Sequence, residues 1–403
     1  MSATTEATIR DFAIPVASDK ELEALRDRIT ATRWPDRELV ADFSQGVQLG
    51  VMQELARYWA TDYDLRRTEK RLGARPHFVT EIDGLDIHFI HVRSPHQNAL
   101  PVIITHGWPG SVIELLGIID PLTNPTAHGG SAADAFDVVI PSLPGYGYSG
   151  KPRELGWGPV RVAQAWDVLM KRLGYQRYVA QGGDWGAIIS DLMGAQAPAG
   201  LAGIHTNMAG AVPPGVFAAL ARNVLGAGDP PPSGLSPEES RAFDQLNSFF
   251  TGSMGYGIQM ATRPQTMFGL ADSPVMLAAW LIGPHVSIYS DVADAFAGRP
   301  VGSLTRDEIL DNITFAWLTN TGVSAARMYW ENTVGFFDVK NVSVPVAVSV
   351  FPNDAYKAPR SWAERAYPNL VYFNEVDRGN HLAAWQEPGL FSAELRNGFR
   401  SLR

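Results

Sequence analysis

Apolar positions first recur at helical spacing. Leu22, Leu25 and Ile29 follow a capping-box pattern, Ser18-Asp-Lys-Glu21, and predict an amphipathic helix. Thr32-Arg-Trp-Pro-Asp36 breaks it, and Met52, Leu55 and Trp59 predict a second. From about His77 the pattern changes to short apolar runs at 86–92, 101–105, 137–140, 178–180 and 203–205, which read as strands. Amphipathic stretches separate them, such as the one holding Val162, Trp166, Leu169 and Leu173 and stopped by Gly174. Apolar strands between amphipathic helices predict an α/β fold with a mostly parallel sheet covered on both faces. The alternation lapses over 207–338, a helical, aromatic stretch with a Pro/Gly-rich opening at 228–234. It resumes with the run 344–350, a helix around Trp362, a strand at 370–373 and a last helix near Leu390. An insertion there lies over the carboxyl ends of the strands, where a lid sits. The chain has no internal repeat and no long low-complexity tract.

The chemistry centres on Gly182-Gly-Asp-Trp-Gly186, which closes one of the short strands and opens an apolar helix. That is the layout of a nucleophile elbow, a strained turn whose small residues keep β-carbons out of the way. Asp184 stands at its tip, where an esterase carries Ser. A carboxylate nucleophile makes an ester with an electrophilic sp3 carbon, so the pattern implies an epoxide or a haloalkane as substrate, not an ester or amide. The strand at 101–105 runs into His106-Gly-Trp-Pro-Gly110, a loop placed to aim the Trp108 N–H above the nucleophile, beside that of Trp185. Two such donors make an oxyanion hole; a structural turn with Pro109 at the first helical position fits the same residues. His381, in Arg378-Gly-Asn-His-Leu382 after the last strand, is placed to be the base. Asp354, at the end of Phe351-Pro-Asn-Asp354 after the preceding strand, is placed to orient it. Any one of these is a weak sign, since a lone His is more often a surface or core residue and an Asp in a loop is often a turn or cap. Together, in the order nucleophile, acid, base, they predict a triad.

Composition narrows the field. The chain has 403 residues, 45% of them hydrophobic, and a formal charge of −9 with no basic run, which argues against nucleic acid and anionic membranes as partners. It has no cysteine, so thiolate nucleophiles, disulfides and Cys-ligated metals are excluded. Eleven Trp, 12 Tyr and 18 Phe point to an aromatic core or pocket. The amino terminus reads as neither a secretory signal nor a membrane span, and a soluble, cytoplasmic protein is expected. Gly145-Tyr-Gly-Tyr-Ser-Gly150 matches the dinucleotide fingerprint letter by letter, but it follows Pro141-Ser-Leu-Pro144 and the next helix starts only near Gly158-Pro159. A nicotinamide oxidoreductase is therefore not expected.

The set His106-Gly-Trp-Pro-Gly110, Gly145-Tyr-Gly-Tyr-Ser149 and Gly182-Gly-Asp-Trp-Gly186 resembles the α/β-hydrolase epoxide hydrolases, and among them the microsomal-type branch with its own N-terminal domain. The likeness covers almost the whole chain: Thr32-Arg-Trp-Pro-Asp36 and the stretch 80–91 resemble that domain and its junction to the core. It implies an α/β-hydrolase fold divided into a helical N-terminal extension at 1–76, core at 77–206, a helical lid at 207–338 and core again at 339–403. It also implies that two lid tyrosines, by position Tyr256 and Tyr329, donate hydrogen bonds to the epoxide oxygen. Nothing in the residue pattern picks these two out of twelve. The acid varies between Glu and Asp in the family, and Asp354 holds its place here. Mammalian members begin with a membrane anchor that this sequence does not resemble, so a soluble, bacterial-like member is expected. The implied reaction turns a small-molecule epoxide into a vicinal diol with no metal or organic cofactor, and a homo-oligomer is left open. Two other readings share parts of the pattern. A haloalkane dehalogenase would keep Asp184, the His–acid pair and Trp185, but usually has a halide-holding Asn where Trp108 stands. A non-catalytic binding module on the same fold would be expected to have lost a triad member.

Overall fold

The short apolar runs of the middle region form the centre of a nine-stranded sheet in the order β1-β2-β3-β5-β4-β6-β7-β8-β9. The computed structural model describes residues 8–283 and 286–403. The strands are β1 Arg10–Asp11, β2 His77–Ile82, β3 Leu85–Val92, β4 Leu100–Thr105, β5 Phe136–Pro141, β6 Tyr178–Gly182, β7 Leu201–Thr206, β8 Val346–Val350 and β9 Leu370–Glu375. From β5 through β9 every neighbouring pair is parallel. Helices such as Pro159–Arg172 and Trp185–Gln196 cover this part, and all five residues of β6 and of β8 are buried. Continuous burial is why these strands read as unbroken apolar runs. The helix Pro159–Arg172 starts on Pro159 and stops at Gly174, whose φ of +87° is a left-handed turn that glycine adopts without strain.

The other edge departs from the parallel pattern. β2 and β3 form an antiparallel hairpin, β3 joins β5 antiparallel, and β1 adds a further antiparallel strand. Asp83 and Gly84, with φ of +49° and +77°, make the two-residue turn that suits a hairpin. The extension expected to be helical therefore also contributes a strand. β1 is two exposed residues long, too short to leave a period in the sequence. Of the extension's helices, Asp19–Thr30 carries its full capping box and Leu49–Thr61 buries Met52, Leu55 and Trp59. A third, Arg67–Gly73, has the mostly polar sequence RTEKRLG and escaped the apolar pattern.

Between Thr206 and Val346 the named elements are all helices, from Pro214–Val224 to Gly322–Glu331. The two ends of this excursion are drawn together by a parallel bridge between Val212 and Asp338. The extension grips it from the far side. Trp59 Nε1 donates to Thr314 Oγ1 at 3.0 Å, Tyr58 to Asp307 at 2.9 Å and Tyr63 to Asp311 Oδ1 at 2.6 Å. Arg67 and Arg71 both bond Asp311 Oδ2 and also reach Glu308. All these partners lie on the helix Arg306–Leu318, so the extension and the helical layer are packed as one body. Among the described residues no helix is long and apolar enough to cross a membrane.

Candidate active site

At the carboxyl end of β6 the chain turns sharply into the helix Trp185–Gln196, and Asp184 sits on the turn with φ 51° and ψ −123°. A non-glycine residue held there costs of order 1–3 kcal/mol, which the surrounding packing must offset. The neighbours show why the turn is glycine-rich. A β-carbon on Gly182 would run into the Gly186 backbone, and one on Gly186 into the Thr105 carbonyl. Gly107 likewise leaves room for Asp184, which is 5% exposed.

Four chain segments converge on this carboxylate. From the loop after β4, the Trp108 N–H donates to Asp184 Oδ1 at 2.7 Å. Trp185 is the first residue of the following helix, where backbone N–H groups have no partner within the helix. From the loop after β9, His381 Nε2 lies 3.4 Å from Asp184 Oδ2, while its Nδ1 is 2.7 Å from Asp354 Oδ1. Asp354 comes from the loop after β8, and an isolated bridge between Asn353 and Asn380 holds the two loops side by side. Asp354 Oδ1 also accepts the Ala355 N–H at 2.6 Å, which fixes the carboxylate. Burial by itself would push the His381 imidazole down. The Asp354 charge, the contacts to Asp184 and Asp354, and the Asp184 charge outweigh it and hold the ring well above its ordinary value.

A further contribution comes from the helical layer. Tyr256, on Gly255–Thr262, stacks on the Trp108 ring with centroids 4.9 Å apart. Tyr329, on Gly322–Glu331, meets Trp185 edge-on at 4.7 Å and Tyr256 at 6.0 Å. Both phenols are pushed up, chiefly by burial; Asp184 adds to this for Tyr256, and Tyr256 followed by Asp184 for Tyr329. They therefore stay protonated as donors. A cavity of about 200 Å³ is bounded by Asp184, His381 and both tyrosines, with walls of Met208, Phe217, Phe249, Phe250, Phe336 and Phe337. The paired phenylalanines at 249–250 and 336–337 are the one sequence signal for this wall, but their spacing fits core packing equally well.

The dinucleotide-like run has a different use. Gly145 N–H bonds the Gly150 carbonyl at 2.9 Å, closing a compact turn, and Ser324 Oγ donates to the Gly145 carbonyl. With φ +83°, Gly145 lies so close to Ser324 that a β-carbon would be 2.8 Å from its carbonyl oxygen. The turn thus seats the helix that carries Tyr329.

Comparison with known proteins gives the family of the chain. Residues 9–115 match the family description "Epoxide hydrolase N terminus", and residues 101–265 match "alpha/beta hydrolase fold". A protein of Stigmatella aurantiaca (strain DW4/3-1) bearing an epoxide hydrolase name is 49% identical over 98% of this chain and 86% of its own length. Epoxide hydrolase 1 of Oryctolagus cuniculus is 34% identical over 97% of this chain and 88% of its own. Among solved structures, the juvenile hormone epoxide hydrolase of the silkworm Bombyx mori superposes with a TM-score of 0.83 at 28% identity, covering 98% of this chain and 96% of that one. The Aspergillus niger epoxide hydrolase gives 0.80 at 28% identity, covering 98% and 97%. With a strained Asp at the elbow, a buried His–Asp pair beside it and this likeness along nearly the full length, the chain belongs to the epoxide hydrolases of the α/β-hydrolase fold that carry the epoxide hydrolase N-terminal region.

Proposed function

We propose that this protein hydrolyses a small apolar epoxide to a vicinal diol through a covalent ester on Asp184. The observation that carries the reading is His381, which bridges Asp354 and Asp184 at the floor of a cavity roofed by two buried phenols. In this scheme Asp184 Oδ2 attacks an epoxide carbon. The C–O bond breaks, and the alkoxide takes a proton from the Tyr256–Tyr329 pair. Hydrogen bonds to a developing alkoxide are charge-assisted and strengthen toward the transition state, so two donors lower this barrier more than they stabilise bound substrate. Ester formation removes the Asp184 charge, one of the anions that keep the proton on His381, so that proton passes to the phenolate and leaves the ring as a neutral base.

Water then gives a proton to His381 Nε2 and adds to the ester carbonyl carbon. The Trp108 N–H, with that of Trp185 as second donor, receives the oxyanion. On collapse the diol oxygen takes the Asp184 carboxyl proton, and His381 keeps the proton from water, so carboxylate, imidazolium and phenols return to their starting states. The 1–76, 207–338 and core divisions serve this scheme as support, roof and floor.

Purified protein offered styrene-type, aliphatic and terpene-type epoxides should release diols; no turnover of any would overturn the reading. One observation favours a second reading. The Trp185 indole N–H is buried without a hydrogen-bond partner among the described residues and is a donor of the kind that holds halide. Chloride release from a chloroalkane would decide for a haloalkane dehalogenase.

A further inference from the structure

The loop that carries His381 is held from the helical layer by one carboxylate. Asp291 lies on the helix Val286–Phe296 and is partly buried. Its Oδ2 accepts a hydrogen bond from Asn380 Nδ2 and another, at 3.0 Å, from Gln386 Nε2. Asn380 stands directly before the base in the chain and Gln386 shortly after it, so a single oxygen ties down both ends of the segment in which His381 sits. Asn380 is 3% exposed, and its Oδ1 accepts the Leu382 N–H at 2.8 Å, which closes the chain around His381. Gln386 is fixed again through its backbone: the Ser303 N–H donates to its carbonyl at 2.8 Å, and Gly302 leaves no room for a β-carbon against that oxygen. A partly buried carboxylate is unfavourable unless hydrogen bonds satisfy it, and both amides reach this one from the base loop.

His381 Nε2 must take the water proton while Nδ1 stays on Asp354 at 2.7 Å. Asp354 and the Asn353–Asn380 bridge hold the base from the core, and Asp291 adds a hold from the roof. We propose that Asp291 is a positioning residue for the base: resting on the ester scheme above, the helical layer uses it to keep the His381 loop in the geometry that ester hydrolysis needs. Asp291 does not line the cavity that receives the epoxide, so it acts through the loop and not on the substrate. Ring opening uses the Asp184 carboxylate and the two phenols, and a small shift of the imidazole leaves it intact. Activation of water depends directly on where Nε2 lies, and a misplacement of about 1 Å can cost 10²-fold. The base is thus set only while the helical layer is seated over the cavity.

The test separates the two half-reactions by rapid mixing with excess enzyme, following ester formation and ester decay by mass. Asp291→Ala removes the shared acceptor and should form the ester at the normal rate while losing about 10–10²-fold in its hydrolysis. Asp291→Asn keeps a carbonyl acceptor at the same place and should hydrolyse the ester within a few-fold of wild type. Asn380→Ala cuts the same link from the loop side, so the double variant with Asp291→Ala should be no slower than Asp291→Ala alone. A merely structural role would move both half-reactions together and would not separate Ala from Asn. The proposal is overturned if Asp291→Ala hydrolyses the ester at the wild-type rate, if ester formation falls as far as decay, if Asn is as slow as Ala, or if the two losses multiply in the double variant. Should Asp291→Ala fail to fold, Asn380→Ala set against Asp291→Asn gives the same comparison of a cut link with a kept one. Absence of the ester in wild type as well would overturn the underlying scheme and this proposal with it, an outcome distinct from the others.

Discussion

The Trp108 backbone N–H donates to Asp184 Oδ1 at 2.7 Å, across 76 positions of sequence. One carboxylate oxygen is thereby held as an oxyanion would be, while the other faces His381. If Oδ2 attacks the epoxide, the oxygen delivered in the first turnover comes from the protein. A single turnover in heavy-oxygen water, with enzyme in excess, should yield mostly unlabelled diol and leave label in the peptide containing Asp184. Under many turnovers label should reach the product. Fully labelled diol from the first turnover would mean direct attack by water and would sink the covalent route.

His381→Gln should separate the steps. Alkylation needs only the carboxylate and the phenols, so the variant should accumulate an ester visible by intact mass while releasing almost no diol; general-base help is worth about 10²–10⁴-fold. An inactive variant without adduct, given a substrate the wild type turns over, would count against the scheme.

The two phenols can be removed without disturbing the stacked rings. Tyr256→Phe and Tyr329→Phe each delete one donor, and each should slow ring opening strongly. The double variant should be nearly inactive with an unchanged melting temperature. Near-normal ester formation in the double variant would show that other groups protonate the alkoxide.

Stability should depend on Asp311, whose side chain is fully buried under Tyr63, Arg67 and Arg71. Asp311→Ala leaves these three groups facing each other without their shared acceptor. Breaking a buried ion pair from one side costs about 3–5 kcal/mol. Chemical denaturation should register that loss, and limited proteolysis should find the extension opened first.

Acid should weaken the fold through its buried histidines. His205, bonded to Ser349 at 3.0 Å, is pushed down to about 3 by burial. Its folded form therefore binds fewer protons than the unfolded chain. The stability it contributes is complete above the unfolded value near 6.5 and is lost as pH falls toward the folded value. At about 1.4 kcal/mol per pH unit, wild type should lose about 2 kcal/mol relative to His205→Gln between neutrality and about pH 5. Parallel melting curves of the two proteins across that range would refute the assignment.

The candidate triad is legible in the sequence because its signs are local. The elbow needs small residues within a few positions of Asp184, since the Gly182 and Gly186 backbones nearly touch. His381 and Asp354 follow strands whose apolar runs announce them. Even so, the sequence offers only places in a chain, and the 2.7 Å contact of His381 with Asp354 belongs to the folded sheet. Resemblance, not pattern, points to Tyr256 and Tyr329, because a helical tyrosine that lines a cavity has the same spacing as one that fills a core.

What the pattern could not carry is whatever depends on distant segments meeting. β1 is too short for periodicity, and the helix Arg67–Gly73 sets Arg67 and Arg71 against Glu308 and Asp311, more than two hundred residues away. Glu114 reads as one polar residue in an apolar run until the fold sets it in the lining of one cavity with Asp184. Sequence by itself determined which residues could do chemistry, because strained turns and strand ends restrict residue type locally. Tertiary structure alone decided which of them share a cavity, because side-chain contacts between remote elements leave no periodic trace along the chain.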